Sequence, residues 1–393
     1  MTAVQEKANS STTAGVTSVA DGKRRPSKLR TALELAVLLP LTVLTLEGLL
    51  AFAGVGDQEI LQPDQTIGCV HIPGKKVTWR LEGFSNDHFS TAGLRDVEHQ
   101  IAKPQGTYRI ALLGDSATEG LQVKMSETFA RVLETDLNKN KKTAAINNFE
   151  VFNFGCSSYS TGQELLQFKR EVAQYKPDLT VVFMCVGDLL ENNLDLAHRG
   201  HAEPKPYFYV DNQGKLNEDD SVLQESRAKL APNPVIDWLR RNSRLYGVWT
   251  QSNFNLNLSD KFYFRLMRNV QDISQRLSGK KEKIDAPIYP PQDRLKVTRA
   301  LAKEFNEVVK GKGGKFTLML FPDVTGRDLV WAQAVEEMKT EGLIDGFDVI
   351  DLAPKFKQDK DPSSLFLQFH FSKGGHALTA KELGSYVETL LSN

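Results

Sequence analysis

Hydrophobic positions along the chain fall into two kinds of run. Tyr108–Leu113 is an apolar run too brief for a helix and predicts a buried strand, and Glu150–Phe154, Leu179–Val186, Lys315–Phe321 and Asp348–Leu352 read as further strands. Longer segments with apolar residues at helical spacing lie between them. They run from about Ser126 through FARVLETDL, from Thr161 to Tyr175 ahead of Pro177, from Leu295 to Lys310, from Asp328 to Glu341, and from Gly374 to Leu391. Alternating strand and helix predicts a parallel sheet with helices on both faces and ligands beyond the carboxyl ends of the strands.

This rhythm is interrupted twice. Residues 55–107 are rich in turns and predict a small β-rich lead-in. From about 194 to 294 polar turns and helical pieces such as WLRRNSRLYGVW and FYFRLMRNVQDI read as an insertion into the domain that spans 108–393. No repeat recurs at a solenoid period.

The N-terminal end differs from both. Residues 1 to about 21 are small and polar, with too little apolar surface to offset the entropy of ordering, so residues 1–30 predict a disordered basic tail. Lys23, Arg24, Arg25, Lys28 and Arg30 close that tail, and Thr31–Gly54 follows as an apolar helix about 36 Å long, enough to cross a bilayer core. Positive charge before it and Asp57, Glu59 and Asp64 after it predict a single-pass protein of the cell membrane, with a cytoplasmic N-terminus and the remaining chain exported. Two other readings stay open. Ala51-Phe52-Ala53 fits a signal-peptide cleavage site, which would release a secreted protein, and a buried amphipathic helix would accommodate Pro40.

Charge and cysteine content narrow the function. Forty-nine basic residues balance forty-nine acidic ones in 393, so no global field favours nucleic acid. Cys69, Cys156 and Cys185 are odd in number and widely spaced, fitting neither a disulfide framework nor a zinc site; Cys156 and Cys185 read as core thiols. His71, His88, His99, His198 and His201 show no metal-ligand spacing, and neither metal nor organic cofactor is expected.

Candidate chemistry lies at the strand ends. Gly114-Asp115-Ser116 follows the first strand, where a serine at a strand-to-helix turn exposes its hydroxyl and its amide can face a developing oxyanion. An Asp-Ser helix cap explains the same residues equally well. Gly155 ends the second strand, and its amide could approach a substrate oxygen, or it is an ordinary turn glycine. Gly187-Asp188 ends the third. His370, before the last helix, could serve Ser116 as base, and His376 reads as a helix-start residue.

Together GDSATEG (114–120), NFGCSSYST (153–161), VGDLLENN (186–193) and HFSKGGH (370–376) resemble, in that order, the four blocks of the SGNH, or GDSL-like, hydrolase family. GLRD (93–96) and NSRLY (242–246) resemble exported bacterial members with an N-terminal anchor. The resemblance implies a flavodoxin-like three-layer α/β/α fold with a mainly parallel five-stranded sheet. It also implies Ser116 as nucleophile, His370 as base, an oxyanion hole of the Ser116 and Gly155 amides, and no cofactor. Two positions depart from it. Asp188 stands where the asparagine of the hole is expected, so a protonated Asp188, or Asn192 or Asn193, would have to donate. The usual Asp-x-x-His is replaced by Leu367 and Gln368 ahead of His370, leaving Asp361 or an acid of the insertion (Asp237, Asp260, Asp285, Asp293) as candidates. The function expected is therefore a serine esterase acting on acyl esters of an envelope carbohydrate or lipid. The alternatives are an O-acyltransferase on a polysaccharide and a non-catalytic binding or assembly protein of the same fold.

Overall fold

The computed structural model describes residues 28–57, 59–139, 146–195, 203–228, 230–250, 293–322, 329–340, 342 and 344–392. The polar tail up to Ser27, the helical piece from Phe262 to Ile273, Asp260, Asp285, His198 and His201 lie outside them. The chain divides into two compact units, Met1–Leu49 and Leu50–Asn393.

Of the first unit the structure describes a helical segment, part of α1 (Lys28–Ala53). Its apolar side chains are exposed along its length, as with Leu33, Leu39 and Leu44, and it is long and apolar enough to cross a membrane. An anchor and a signal sequence both fit that helix.

In the second unit five parallel strands form a sheet ordered β11-β10-β7-β5-β6, with β5 at Thr107–Leu113, β6 at Asn148–Asn153, β7 at Leu179–Met184, β10 at Lys315–Leu320 and β11 at Asp348–Asp351. Alternation along each strand supplies two cores. Ala111, Leu113, Val182, Met184, Leu318 and Leu320 pack on one face with α4 (Thr161–Arg170) and the helix Arg294–Gly311. Ile110, Leu112, Val181, Phe183 and Met319 pack on the other with α3 (Phe129–Lys139) and the closing helix Lys373–Ser392. This is the three-layer α/β/α fold. Two helix boundaries shift: a short 3₁₀ turn at Met125–Glu127 takes the place of a helix start at Ser126, so that α3 begins at Phe129, and α4 stops at Arg170, with a separate 3₁₀ turn at Val172–Tyr175.

Residues 55–107 hold two antiparallel hairpins, β1 (Leu61–Asp64) with β2 (Gly68–His71) and β3 (Lys76–Trp79) with β4 (Ser85–His88). The region from 194 to 294 includes a further hairpin, β8 (Tyr207–Val210) with β9 (Leu216–Asp219), and the helix Pro234–Asn242.

Buried cations fasten the lead-in to the sheet. Arg109, fully buried on β5, pairs with Glu150 at 2.7 Å and donates to the carbonyls of Gln100, Ile101, Ala102 and Tyr175 at 2.7–3.1 Å. Replacing it leaves those acceptors and a carboxylate without their donor. Arg109→Ala is therefore expected to destabilise the domain by about 3–5 kcal/mol, read as a lower denaturation midpoint in urea.

Candidate active site

β5 delivers its chemistry through a turn that only glycine allows. A Cβ on Gly114 would lie 2.2 Å from Thr118 Oγ1 and 3.1 Å from Phe183 Cβ. Asp115 then caps the four-residue helix α2 (Ser116–Glu119) by accepting the Ala117 N–H at 2.9 Å, and also accepts the Cys185 thiol at 3.0 Å. Burial pushes the Asp115 carboxyl upward, against these two hydrogen bonds and the nearby His370. Both readings of the Gly-Asp-Ser turn are thus met at once: Asp115 caps the helix, and Ser116, next to it, faces a histidine.

That histidine is His370, whose Nε2 lies 2.8 Å from Ser116 Oγ. Its Nδ1 lies 2.9 Å from Oε2 of Glu82, which also accepts the Phe369 N–H at 3.0 Å. The structure therefore brings together a serine, an imidazole and a carboxylate in a continuous hydrogen-bonded line. With Nδ1–H donated to Glu82, Nε2 is left to accept the serine proton. Burial works to raise the Glu82 pKa, but hydrogen bonds from His370 and Phe369 and attraction to the imidazole outweigh it and leave the carboxyl below its ordinary range.

Glu82 corrects the expectation that the acid would be Asp361 or a residue of the insertion. Asp361 accepts the Ser363 hydroxyl at 2.5 Å, Asp237 lies 3.4 Å from Arg240, and Asp293 caps the helix Arg294–Gly311. Glu82 comes instead from the five-residue turn between β3 and β4, with a left-handed φ of 62°. The hairpin is pressed onto the loop that leaves α2. A Cβ on Gly83 would lie 2.1 Å from the Gln122 carbonyl, and Ser85 Oγ donates to the Leu121 carbonyl at 2.6 Å. The Arg95 guanidinium of GLRD, buried, ties Asp87 of β4 at 3.0 Å to the carbonyls of Glu119 and Val123. The next residue, Asp96, accepts the backbone N–H of Asn153 at the end of β6 at 2.8 Å.

The expected oxyanion donors are placed differently. The Gly155 N–H already donates to Asn153 Oδ1 at 3.0 Å, and the lack of a side chain there admits the backbone of α2, since a Cβ would lie 2.3 Å from Glu119 N. Asp188 does not donate: its carboxylate accepts Thr161 N–H and Thr161 O–H, both at 2.7 Å, and Cys185 N–H at 2.8 Å. Asn192 holds Gly162 N–H and the Asp188 carbonyl, and Asn193 donates to the Phe208 carbonyl at 2.8 Å. All three fasten β7 to α4 and β8. With Asp188 as the acid of its block, the position before it, where G-x-N-D has asparagine, is Gly187; a Cβ there would meet no atom nearer than 3.6 Å. Among the described residues the amides of Ser116 and Ser158 have no acceptor within the chain. Ser158 is exposed in the loop after β6, with a left-handed φ of 68°.

His376 starts the closing helix as expected, but buried: its Nδ1 accepts the Phe129 N–H at 3.3 Å, and burial lowers its pKa to about 3, keeping it neutral.

Two outcomes test this geometry. Glu82→Gln is expected to lower kcat by about 10²–10⁴ with the fold intact, by analogy with loss of a triad carboxylate. Burial, opposed by its three donors and reinforced by Asp115, raises Asp188 to about 7. An unfolded Asp releases its proton near 3.9, so between that value and about 7 the folded chain holds a proton that the unfolded chain has lost. The stability of the native protein relative to Asp188→Asn should therefore fall as pH rises through this window and level off above it, measured by urea denaturation at successive pH values.

The sequence profile of the GDSL-like lipase/acylhydrolase family matches residues 112–378. No curated protein matches the chain. Similar solved structures include the lipase/acylhydrolase from Enterococcus faecalis, 13% identical over 72% of this chain and 96% of that one, with a TM-score of 0.39. An acetylxylan esterase from Geobacillus stearothermophilus is 11% identical over 72% and 94%, with a TM-score of 0.36. A psychrotrophic esterase from Pseudoalteromonas sp. is 9% identical over 72% and 99%, with a TM-score of 0.35. Because the profile spans most of the chain, from within β5 into the closing helix, this protein belongs to the GDSL-like lipase/acylhydrolase family and is a hydrolase of ester bonds.

Proposed function

We propose that the chain is a membrane-anchored serine esterase whose domain, from about residue 55 onward, works on the outer side of the membrane on acyl esters of an envelope carbohydrate or lipid. The observation that carries the catalytic reading is the line from Ser116 Oγ through His370 to Glu82, at 2.8 and 2.9 Å. The anchor and the exported side rest on α1 and on the basic residues that precede it.

In this reading Ser116 Oγ bonds to the ester carbonyl carbon as its proton passes to His370 Nε2. Glu82 stabilises the imidazolium that forms and holds the ring in the productive tautomer. The oxyanion accepts the Ser116 N–H at the start of α2 and the Ser158 N–H from the loop after β6. Collapse expels the alcohol, which takes the proton from His370 and leaves an acyl-serine. Water then attacks that acyl group, giving its proton to the same nitrogen; the bond to Ser116 Oγ breaks as Oγ takes that proton back, and the carboxylic acid leaves. Asp188, Asn192 and Asn193 support the loops without touching substrate. The non-catalytic alternative rests on two departures, the acid partner of His370 and the asparagine of the third block, and Glu82 answers the first of them.

The test is labelling of the full chain by a fluorophosphonate, with turnover of a short-chain aryl acetate. Both are expected in the native protein and both should be lost in Ser116→Ala, with His370→Ala slowed by about 10³ or more. A folded native protein that neither labels nor turns over would contradict the esterase reading.

A further inference from the structure

The turn that carries Glu82 also carries the most conspicuous apolar surface near the site. Leu81 is 57% exposed and Phe84 is 54% exposed, on either side of the Glu82-Gly83 pair. Phe369, 66% exposed, lies directly across from them, because its N–H donates to Glu82 Oε2. Leu367 closes the gap, with its Cδ1 3.1 Å from where a Gly83 Cβ would lie. Exposed apolar side chains thus flank Glu82 and His370, the two ends of the contact that orients the imidazole. Exposing such side chains together costs a protein in water, and a contiguous patch of this kind marks a contact surface.

What the rim faces is indicated by Arg80 in the same turn. Its guanidinium stacks 5.5 Å above the Phe84 ring and donates to the carbonyl of Ala53, the last residue of α1, at 3.3 Å. The next residues are held as closely: Arg244 donates to the Val55 carbonyl at 3.2 Å, and a Cβ on Gly247 would lie 2.0 Å from the Gly56 oxygen. Within the second unit, residues 53–56 are therefore held directly against the turn that carries Glu82 and the segment 244–247. Elsewhere in the same unit Lys76, Arg241 and Arg244 line a cavity of about 370 Å³ beside Asp57, with which Arg244 pairs at 3.1 Å, and Trp238 on the helix Pro234–Asn242 is 60% exposed. Apolar and aromatic side chains with a fringe of Lys and Arg match the interfacial layer of a bilayer containing anionic lipid.

We propose that the active-site rim of Leu81, Phe84 and Phe369 docks on the bilayer in which α1 is anchored, and that the ester hydrolysed is an amphiphile resident in that bilayer. This inference rests on the esterase and anchor readings above and names their substrate class. The acyl chain stays among lipid tails while its ester reaches Ser116 at the interface, so the enzyme need not extract it into water. Arg80 joins Ala53 to the turn of Glu82 within the second unit.

The experiment uses the full chain in nanodiscs of phosphatidylcholine with phosphatidylglycerol. An environment-sensitive fluorophore on Phe84→Cys is compared with the same label on Gln213→Cys in the turn between β8 and β9, after subtracting labelling of the native cysteines. Lipids with a nitroxide on the acyl chain should quench the label at 84 strongly and that at 213 little; equal, weak quenching at both would overturn docking. Alongside, the double variant Leu81→Ser/Phe84→Ser should lower the ratio of turnover of a long-chain ester in the nanodisc to turnover of dissolved p-nitrophenyl acetate by tenfold or more. An unchanged ratio would overturn the substrate class. A native protein inactive on both esters would count against the esterase reading instead, and quenching would still decide docking.

Discussion

A neutral imidazole can keep one nitrogen free to take a serine proton only when its other nitrogen has an acceptor, and here that acceptor is Glu82, 288 residues upstream of His370. Much of the second unit contributes to closing this 2.9 Å contact. The sheet positions Ser116 through the Gly114 turn and brings His370 in ahead of the closing helix. The lead-in hairpin must then carry a carboxylate to the far side of the ring. An unoriented histidine is a poor base, so the lead-in is as much a part of the site as the sheet is.

The polar contacts of the lead-in follow from that need. Glu82 adopts a left-handed backbone that costs a non-glycine residue of order 1–2 kcal/mol, and such a conformation persists only where its surroundings over-determine it. Arg95 supplies part of that constraint by bridging Asp87 of the hairpin to the loop leaving α2, and Asp96 fixes the end of β6 beside it. Arg109 does the same at the opposite end of β5. Each buried cation is balanced by a carboxylate and by carbonyls, which is the condition under which a buried charge is tolerated.

Much of this was legible in the sequence. Short runs rich in apolar residues located all five strands of the central sheet within a few residues, because strands covered on both faces carry apolar side chains on both. The blocks around Ser116 and His370 singled out the two residues that the structure places 2.8 Å apart. Glu82 was not: an acid in a short turn between two four-residue strands looks like any solvated hairpin residue, and only the fold shows that the turn reaches His370. The third block misled for a related reason. An aspartate following glycine invited comparison with the missing asparagine, whereas three donors converge on Asp188 and make it a fastener of α4. Gly155 was misassigned because a glycine freed for a substrate and a glycine required by a crossing backbone are indistinguishable until the neighbour, Glu119 N, is seen.

The central claim is that Glu82 orients His370, and the proton they share reports on it most directly. In protein with ¹⁵N-labelled histidine, the His370 Nδ1–H resonance should appear far downfield of the amide envelope, as expected for a ring proton donated to a carboxylate. It should be lost in Glu82→Gln while the amide spectrum of the remaining fold is retained. A downfield His370 ring proton that persists in Glu82→Gln, or none in the native protein, would show that another group, or none, holds the imidazole, and the account given for the site would fail.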